Sequence, residues 1–362
     1  MPPYPGVPRT DPYPGSTDAS AAERRQFPLP ERITLALTHR CNLACGMCTQ
    51  YGPGYKEHAT QELPVETWME LISSIAWIEP ELNLFGGEPL LYPGFAELLR
   101  HASGARCATT LVTNGSGLAR HLPHLQSAGT HVVLSIDGLP ETHARVRGSQ
   151  ASAATVYELL PRLATLEAPA KWSTNTVLLP DNVREIPELV RSIAAHAPSR
   201  VVLQHPQYLS PQLSAMSDGV WSRAFGKPFL QRLRMKHAYN FDDTYIAELV
   251  RLRERLQPEV DRGIVQFIPD LGGSDIGAYY SEDAHFRLKP GYTCIKPWLS
   301  PTITPNGDVL LCLDGVVGNI AEEPFWTIWN GAPARRFREV LSDVGRFPMC
   351  TRCCTLYGGG TA

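Results

Sequence analysis

The chain has 362 residues, with 33 Lys and Arg against 36 Asp and Glu and a formal net charge of −3. That length suits one large domain and a smaller one, and the near-balanced charge gives no electrostatic footprint for nucleic acid or an anionic membrane. No apolar run reaches the roughly 18–20 residues that a membrane helix needs, and no apolar h-region opens the chain, so a cytoplasmic protein is expected. The nine cysteines cluster at motif spacings and read as metal ligands rather than a disulfide framework.

Residues 1–28 carry seven prolines among Ser, Thr and Gly, and are expected to form a poorly ordered arm. An apolar strand follows (Ile33, Leu35, Leu37). It runs directly into Cys41-x3-Cys45-x2-Cys48. Three thiolates so close wrap one face of a soft metal centre and leave a metal position open. In a cubane iron–sulfur cluster the open iron binds a substrate or cofactor. A structural zinc wants a fourth ligand nearby, which this loop does not offer.

Val65, Trp68, Met69, Leu71, Ile72 and Ile75 recur at helical spacing between Pro64 and Ile78. The strand Leu82–Phe85 ends in Gly86-Gly87-Glu88-Pro89. Two glycines there let the backbone approach a ligand closely, and Glu88 offers a carboxylate to a cation. Further strands are read at 107–112, ending in Thr113-Asn114-Gly115, and at 132–136, ending in Asp137-Gly138 with Ser135 near the end. Two more are read at 172–179 and 200–204. Cys107 reads as a small buried hydrophobe. Apolar parallel strands ending in small polar residues are where α/β barrels place ligand contacts. Six strand–helix units predict an α/β fold, a partial (β/α)6 TIM-like barrel. Residues 205–290 are less legible. They hold a helix around Tyr245–Leu256, a strand at 264–268, a basic run (Arg232, Arg234, Lys236) read as a solvated helix face, and Tyr279 and Tyr280, read as core.

A second cysteine set begins at Cys294. Asn306-Gly307 between apolar runs signals a hairpin, Cys312 follows it, and Cys350-x2-Cys353 comes near the end with Cys354 adjoining. Hairpin and loop together supply four thiolates to one metal centre. On spacing alone a zinc ribbon fits these four as well.

The Cys41-x3-Cys45-x2-Cys48 loop at the end of a first strand resembles the signature of the radical S-adenosylmethionine (SAM) enzymes. Gly86-Gly87-Glu88-Pro89 resembles that family's contact to the SAM amino group. The resemblance implies Asn114 and Ser135 as further SAM contacts and Arg147 as a partner of its carboxylate. Met47 stands where the family often has an aromatic residue near the adenine. Cys294-x12-Gly307-x4-Cys312 and Cys350-x2-Cys353 resemble the SPASM/twitch extension, with Cys294, Cys312, Cys350 and Cys353 as its ligands. A full SPASM domain would carry more downstream cysteines than the eight residues after Cys354, so one auxiliary cluster is expected. The resemblance thus implies two [4Fe–4S] clusters, SAM, and a flavodoxin or ferredoxin-type electron donor. The expected divisions are an arm (1–28), the barrel (29–205), a connecting region (206–290) and the SPASM/twitch extension (291–362).

For the reaction, dehydrogenation of a small polar metabolite (a sugar, cyclitol or aminoglycoside-type intermediate) is expected, with Asp314 as base. The alternatives are epimerisation of such a substrate, with Cys354 as hydrogen donor, and modification of a peptide. A zinc-stabilised binding protein without catalysis is the rival of another class.

Overall fold

The computed structural model describes residues 28–49, 61–229, 235–281 and 294–354. Residues 1–27 of the expected arm (1–28), and Arg232 and Arg234, lie outside the described residues. One ten-stranded sheet organises the fold, in the order β10-β9-β8-β1-β2-β3-β4-β5-β6-β7. Strands β1 (Arg32–Ala36), β2 (Glu81–Phe85), β3 (Thr109–Thr113), β4 (His131–Ser135), β5 (Lys171–Val177), β6 (Val201–Gln204) and β7 (Val265–Ile268) pair in parallel, each with the next. Parallel neighbours need crossover connections, and helices supply them.

These helices form for legible reasons. In Val65–Ile75, Trp68, Leu71, Ile72 and Ile75 fall on one face and are buried. Burying each such side chain contributes about 1.5–3 kcal/mol. Glu79 just beyond, at φ 49°, turns the chain into β2. Ile186–Ala194 buries Ile186, Leu189, Val190 and Ile193, with a proline in its first turn. Its N-cap is Glu185, without a side-chain cap. Asn182, three residues earlier, accepts from Leu179 N and donates to Val177 O.

The sheet extends beyond the six expected barrel strands on both sides. On one side β7, from the connecting stretch, pairs with β6. On the other, β8 (Thr302–Ile303) pairs in parallel with β1, and the antiparallel β9 (Asp308–Leu310) and β10 (Val316–Asn319) follow. The Asn306-Gly307 turn is present, with Gly307 at φ 95°. The fold is therefore a partial TIM-like barrel whose C-terminal extension continues the barrel sheet through β1.

Trp329 fastens that extension. Its ring is fully buried, its indole Nε1 donates to Pro28 O at 2.6 Å, and the Arg338 guanidinium lies 4.3 Å over it. Arg338 also donates to Pro297 O and Trp329 O. Trp329→Ala removes the buried indole that bonds Pro28 O and lies under Arg338, and is expected to cost about 3–5 kcal/mol. Urea denaturation of the variant measures this loss; a change below about 1 kcal/mol would show that the extension is held elsewhere.

Candidate active site

Because β1 to β7 run parallel, their C-terminal ends share one edge of the sheet, where such folds place ligands. Residues 37–40, leading from β1 into the cysteine loop, lie along Phe85–Glu88. Leu37 N donates to Phe85 O at 2.9 Å, Gly87 N to Thr38 O at 2.7 Å, and Glu88 N to Arg40 O at 2.8 Å. A Cβ at Gly86 (φ 139°) would stand 2.5 Å from Thr38 O, and one at Gly87 2.2 Å from Arg40 O. The two glycines thus admit the chain's own cysteine-bearing strand, where the sequence had implied close approach of a ligand.

Glu88 is fully buried. Its carboxylate accepts from Thr113 Oγ1 at 2.7 Å, Asn114 N at 2.8 Å and Leu90 N at 3.2 Å. Burial nevertheless pushes the carboxyl up to about 7, against the pull of those hydrogen bonds. Asn114 ties β3 to the cysteine loop, donating to Asn42 Oδ1 at 3.0 Å with Cys41 Sγ at 3.9 Å. Ser135 is the last residue of β4 and is buried. Met47 is buried with Leu43, Cys45, Val146 and Leu179 in a small apolar cluster under the loop.

Arg147 is engaged by the protein itself: its Nε donates to Asp137 Oδ2 at 2.5 Å. Sequence reasoning gave Asp137 no role, although its place directly after β4 was the available signal. Segment 235–239 was missed too. Lys236 N and His237 N donate to Cys48 O and Gly46 O, and Lys236 Nζ donates to Ala44 O at 3.0 Å. Lys236 therefore lies on the cysteine loop, not on a solvated helix face. A Cβ at Gly46 would stand 2.5 Å from the His237 ring and 2.6 Å from Tyr239 Oη, so a side chain there would displace those two rings.

The second set converges from three places. Cys294 precedes the helix Lys296–Leu299, Cys312 sits in the β9–β10 turn, where Gly315 N donates to Cys312 O, and Cys350 lies in the 3-10 turn Pro348–Arg352. Burial, then the neighbouring Cys312, Cys294 and Cys353, push the Cys350 thiol well above its ordinary range. Cys312 is pushed the same way by burial, then by Cys294, Cys353 and Asp314. Cys353 is thus the fourth member, while Cys354 Sγ accepts from Gln207 Nε2 at 2.6 Å. Asp314, 3% exposed beside Cys312, faces protein rather than an open cleft. No disulfide joins the cysteines. Among the described residues no three His, Cys, Asp or Glu side chains are drawn up as a single-ion site.

Residues 35–193 match the Radical SAM superfamily model, and residues 294–354 match an iron–sulfur cluster-binding domain, SPASM. A PqqA peptide cyclase of Rhodopseudomonas palustris is 30% identical over 321 residues, covering 87% of this chain and 75% of that protein. The chain belongs to the radical SAM superfamily. A second PqqA peptide cyclase, of Xanthomonas euvesicatoria, is 27% identical over 86% of this chain and 77% of its own length. Among solved structures, Streptococcus suis SuiB bound to precursor peptide SuiA superposes with a TM-score of 0.64 at 17% identity, covering 87% of this chain and 68% of that one. The anSMEcpe enzyme with bound AdoMet and Cp18Cys peptide gives 0.57 at 16% identity, covering 85% and 82%. At that identity these two likenesses are likenesses of fold.

The relatives overturn one expectation. Proteins matching across most of this chain are named for a peptide, PqqA, not for a sugar or cyclitol. Dehydrogenation or epimerisation of a small polar metabolite is therefore set aside, and with it a small-molecule substrate. That expectation rested on motifs of the superfamily as a whole, and the peptide cyclases match across the same stretch.

As a radical SAM protein with a SPASM domain, the chain uses SAM on a [4Fe–4S] cluster and carries auxiliary cluster binding at its C-terminus. The donor chemistry fits. An enclosed four-thiol group is unfavourable as bare anions and is satisfied by a cationic iron–sulfur core. Around the first set, Leu43 N and Asn114 Nδ2 point at Cys41 Sγ, donors of the kind that support ligating sulfur.

Glu88 yields a prediction with a definite sign. Its carboxyl rises from an ordinary 4.5 to about 7 in the folded protein. The folded state therefore holds the proton more tightly, so stability is fully present below about pH 4.5 and is lost as pH rises through about 7. Relative to Glu88→Gln, SAM-free protein should lose on the order of 3 kcal/mol across that window. SAM affinity should move oppositely, weakening as pH falls below about 7 in the wild type and staying weak and flat in Glu88→Gln. Urea melts and SAM titrations at a series of pH values check both; parallel profiles for the two proteins would remove Glu88 from the cofactor site.

Proposed function

We propose that this protein is a radical SAM enzyme that modifies a peptide, removing hydrogen from an unactivated C–H bond of a peptide residue. The observation that carries the reading is the match of 87% of the chain to a PqqA peptide cyclase at 30% identity. The fold likeness to SuiB with its precursor peptide is in keeping with it.

In this reading Cys41, Cys45 and Cys48 hold the SAM cluster, and Cys294, Cys312, Cys350 and Cys353 hold one auxiliary cluster. SAM, when bound there and reduced through that cluster, would supply the radical chemistry that removes a hydrogen atom from the peptide. The chain's own groups prepare the site. Glu88 presents a buried carboxylate to the methionine ammonium, where a charge-assisted hydrogen bond is worth about 1.5–3 kcal/mol. Gly86 and Gly87 hold that carboxylate against the cysteine loop, and Asn114 and Ser135 border it from β3 and β4. The peptide lies between the strand ends and the extension, and a flavodoxin or ferredoxin-type protein supplies the electron.

The test is anaerobic incubation of the iron-loaded protein with SAM, reductant and pooled synthetic peptides, in parallel with a panel of sugars and cyclitols. The expected result is 5′-deoxyadenosine formation that rises with peptide, together with a peptide two mass units lighter. That mass change accounts for one hydrogen atom taken by the radical, one proton released and one electron passed to the auxiliary cluster. Turnover of a cyclitol or sugar with no peptide responding would contradict the proposal.

A further inference from the structure

The ion pair Asp137–Arg147 is buried, with Asp137 fully enclosed and Arg147 9% exposed. Its acidic member is fixed on every side. Asp137 Oδ2 accepts from Arg147 Nε at 2.5 Å, and Oδ1 accepts from Val177 N at 2.7 Å. Its backbone carbonyl accepts from Asn182 Nδ2 at 2.9 Å, and its N–H donates to His143 Nδ1 at 3.2 Å. Burial, then the charge of Arg147, push His143 down to about 4, so the imidazole receiving that N–H is neutral.

Arg147 ends the helix Pro140–Arg147, and its guanidinium stands against the Cys45 sulfur, with its field reaching Cys48. The adjoining Val146 packs with Cys45, and Val146 O accepts from Gly46 N at 3.3 Å. The cation is thus clamped to the end of β4 on one side and laid against the cysteine loop on the other. A buried ion pair contributes little stability over an apolar pair of the same shape, so fold stability alone gives weak reason for this arrangement.

We propose that Arg147, held by Asp137, is a positioning residue that offsets the thiolate charge of Cys45 and Cys48 and sets the reduction potential of the cluster they hold. This rests on the ligand set of the preceding section and adds to the SAM-carboxylate contact implied by the family resemblance. It follows from the general dependence of cluster potentials on net charge and on hydrogen bonds to sulfur. A nearby positive charge favours the reduced, more negative cluster and raises the potential; a nearby negative charge lowers it.

The sign is testable in three variants. Arg147→Met leaves the Asp137 charge beside the loop, so the potential should fall. Arg147→Lys returns a cation and should recover part of that fall. Asp137→Asn keeps an acceptor for Arg147 Nε while removing the opposing charge, so the potential should rise. The full chain is reconstituted anaerobically with iron and sulfide and titrated with dithionite and mediators in the absence of SAM, with detection by electron paramagnetic resonance. SAM added afterwards marks the relevant signal as the one that changes. Iron content and far-ultraviolet circular dichroism are measured alongside. Opposite shifts, downward for Arg147→Met and upward for Asp137→Asn, support the proposal. Unchanged potentials at wild-type iron content, or shifts of the same sign, overturn it. If Arg147→Met fails to hold iron, the direction of the Asp137→Asn shift decides alone. A wild-type protein in which no signal responds to SAM would instead overturn the ligand set on which the proposal rests.

Discussion

Thr38 O accepts from Gly87 N and Arg40 O accepts from Glu88 N, and those two backbone hydrogen bonds fix the rest of the site. They hold the segment leaving β1 against the segment leaving β2, just beyond the parallel ladder that ends at Ala36 and Phe85. That close approach permits no side chain at Gly86 or Gly87, where a Cβ would meet the carbonyls of Thr38 and Arg40. It also places the Glu88 carboxylate where β3 can reach it through Thr113 and Asn114. Asn114 in turn bonds Asn42 within the cysteine loop. One strip of backbone therefore aligns three strand ends, a carboxylate and three thiols before any cofactor contributes.

The second centre is tied to the barrel by different means. Arg352, between Cys350 and Cys353, is fully buried. It donates to Tyr279 O, Tyr280 O and Ser281 O, and its guanidinium lies 4.0 Å over the Tyr208 ring. Tyr279 Oη returns a bond to Arg352 O and another to Pro206 O. Below this layer His205, pushed down to about 3 by burial, meets Tyr280 Oη at 2.9 Å as a neutral ring. The closing cysteine pair thus rests on residues that follow β6 and β7, while β8 joins the hairpin arm to β1. Attachment at both ends fixes the spacing between the two thiol sets, and in the proposed reading a peptide occupies that space.

Much of this was legible because local chemistry dictates it. Closely spaced thiols after a strand, a Gly-Gly-Glu-Pro turn after the next, and Asn306-Gly307 between apolar runs each carry their meaning within a few residues. Tyr279 and Tyr280 are buried in the core, as expected. What stayed hidden was long-range pairing. Nothing near Thr302 announces that it pairs with Thr34, and nothing near Val265 announces β7 as a neighbour of β6. Asp137 read only as the polar end of a strand and Arg147 only as a partner of the SAM carboxylate until the fold brought the two together. The Cys350-x2-Cys353 spacing pointed to Cys353 over the adjoining Cys354; in the fold Cys353 N donates to Cys350 O, and Cys354 Sγ accepts from Gln207 Nε2. The substrate class was misread because the motifs it was read from belong to the superfamily as a whole rather than to one substrate class.

The central claim is that the chain builds two separate thiol sets, three on the loop after β1 and four around the extension, each for its own cluster. Iron and sulfide counting after anaerobic reconstitution tests this most directly, on the wild type and on the triple variant Cys41→Ala, Cys45→Ala, Cys48→Ala. The account predicts about eight irons with matching sulfide in the wild type and about four in the triple variant, with SAM cleavage abolished. About four irons in the wild type, or zinc in their place, would contradict it.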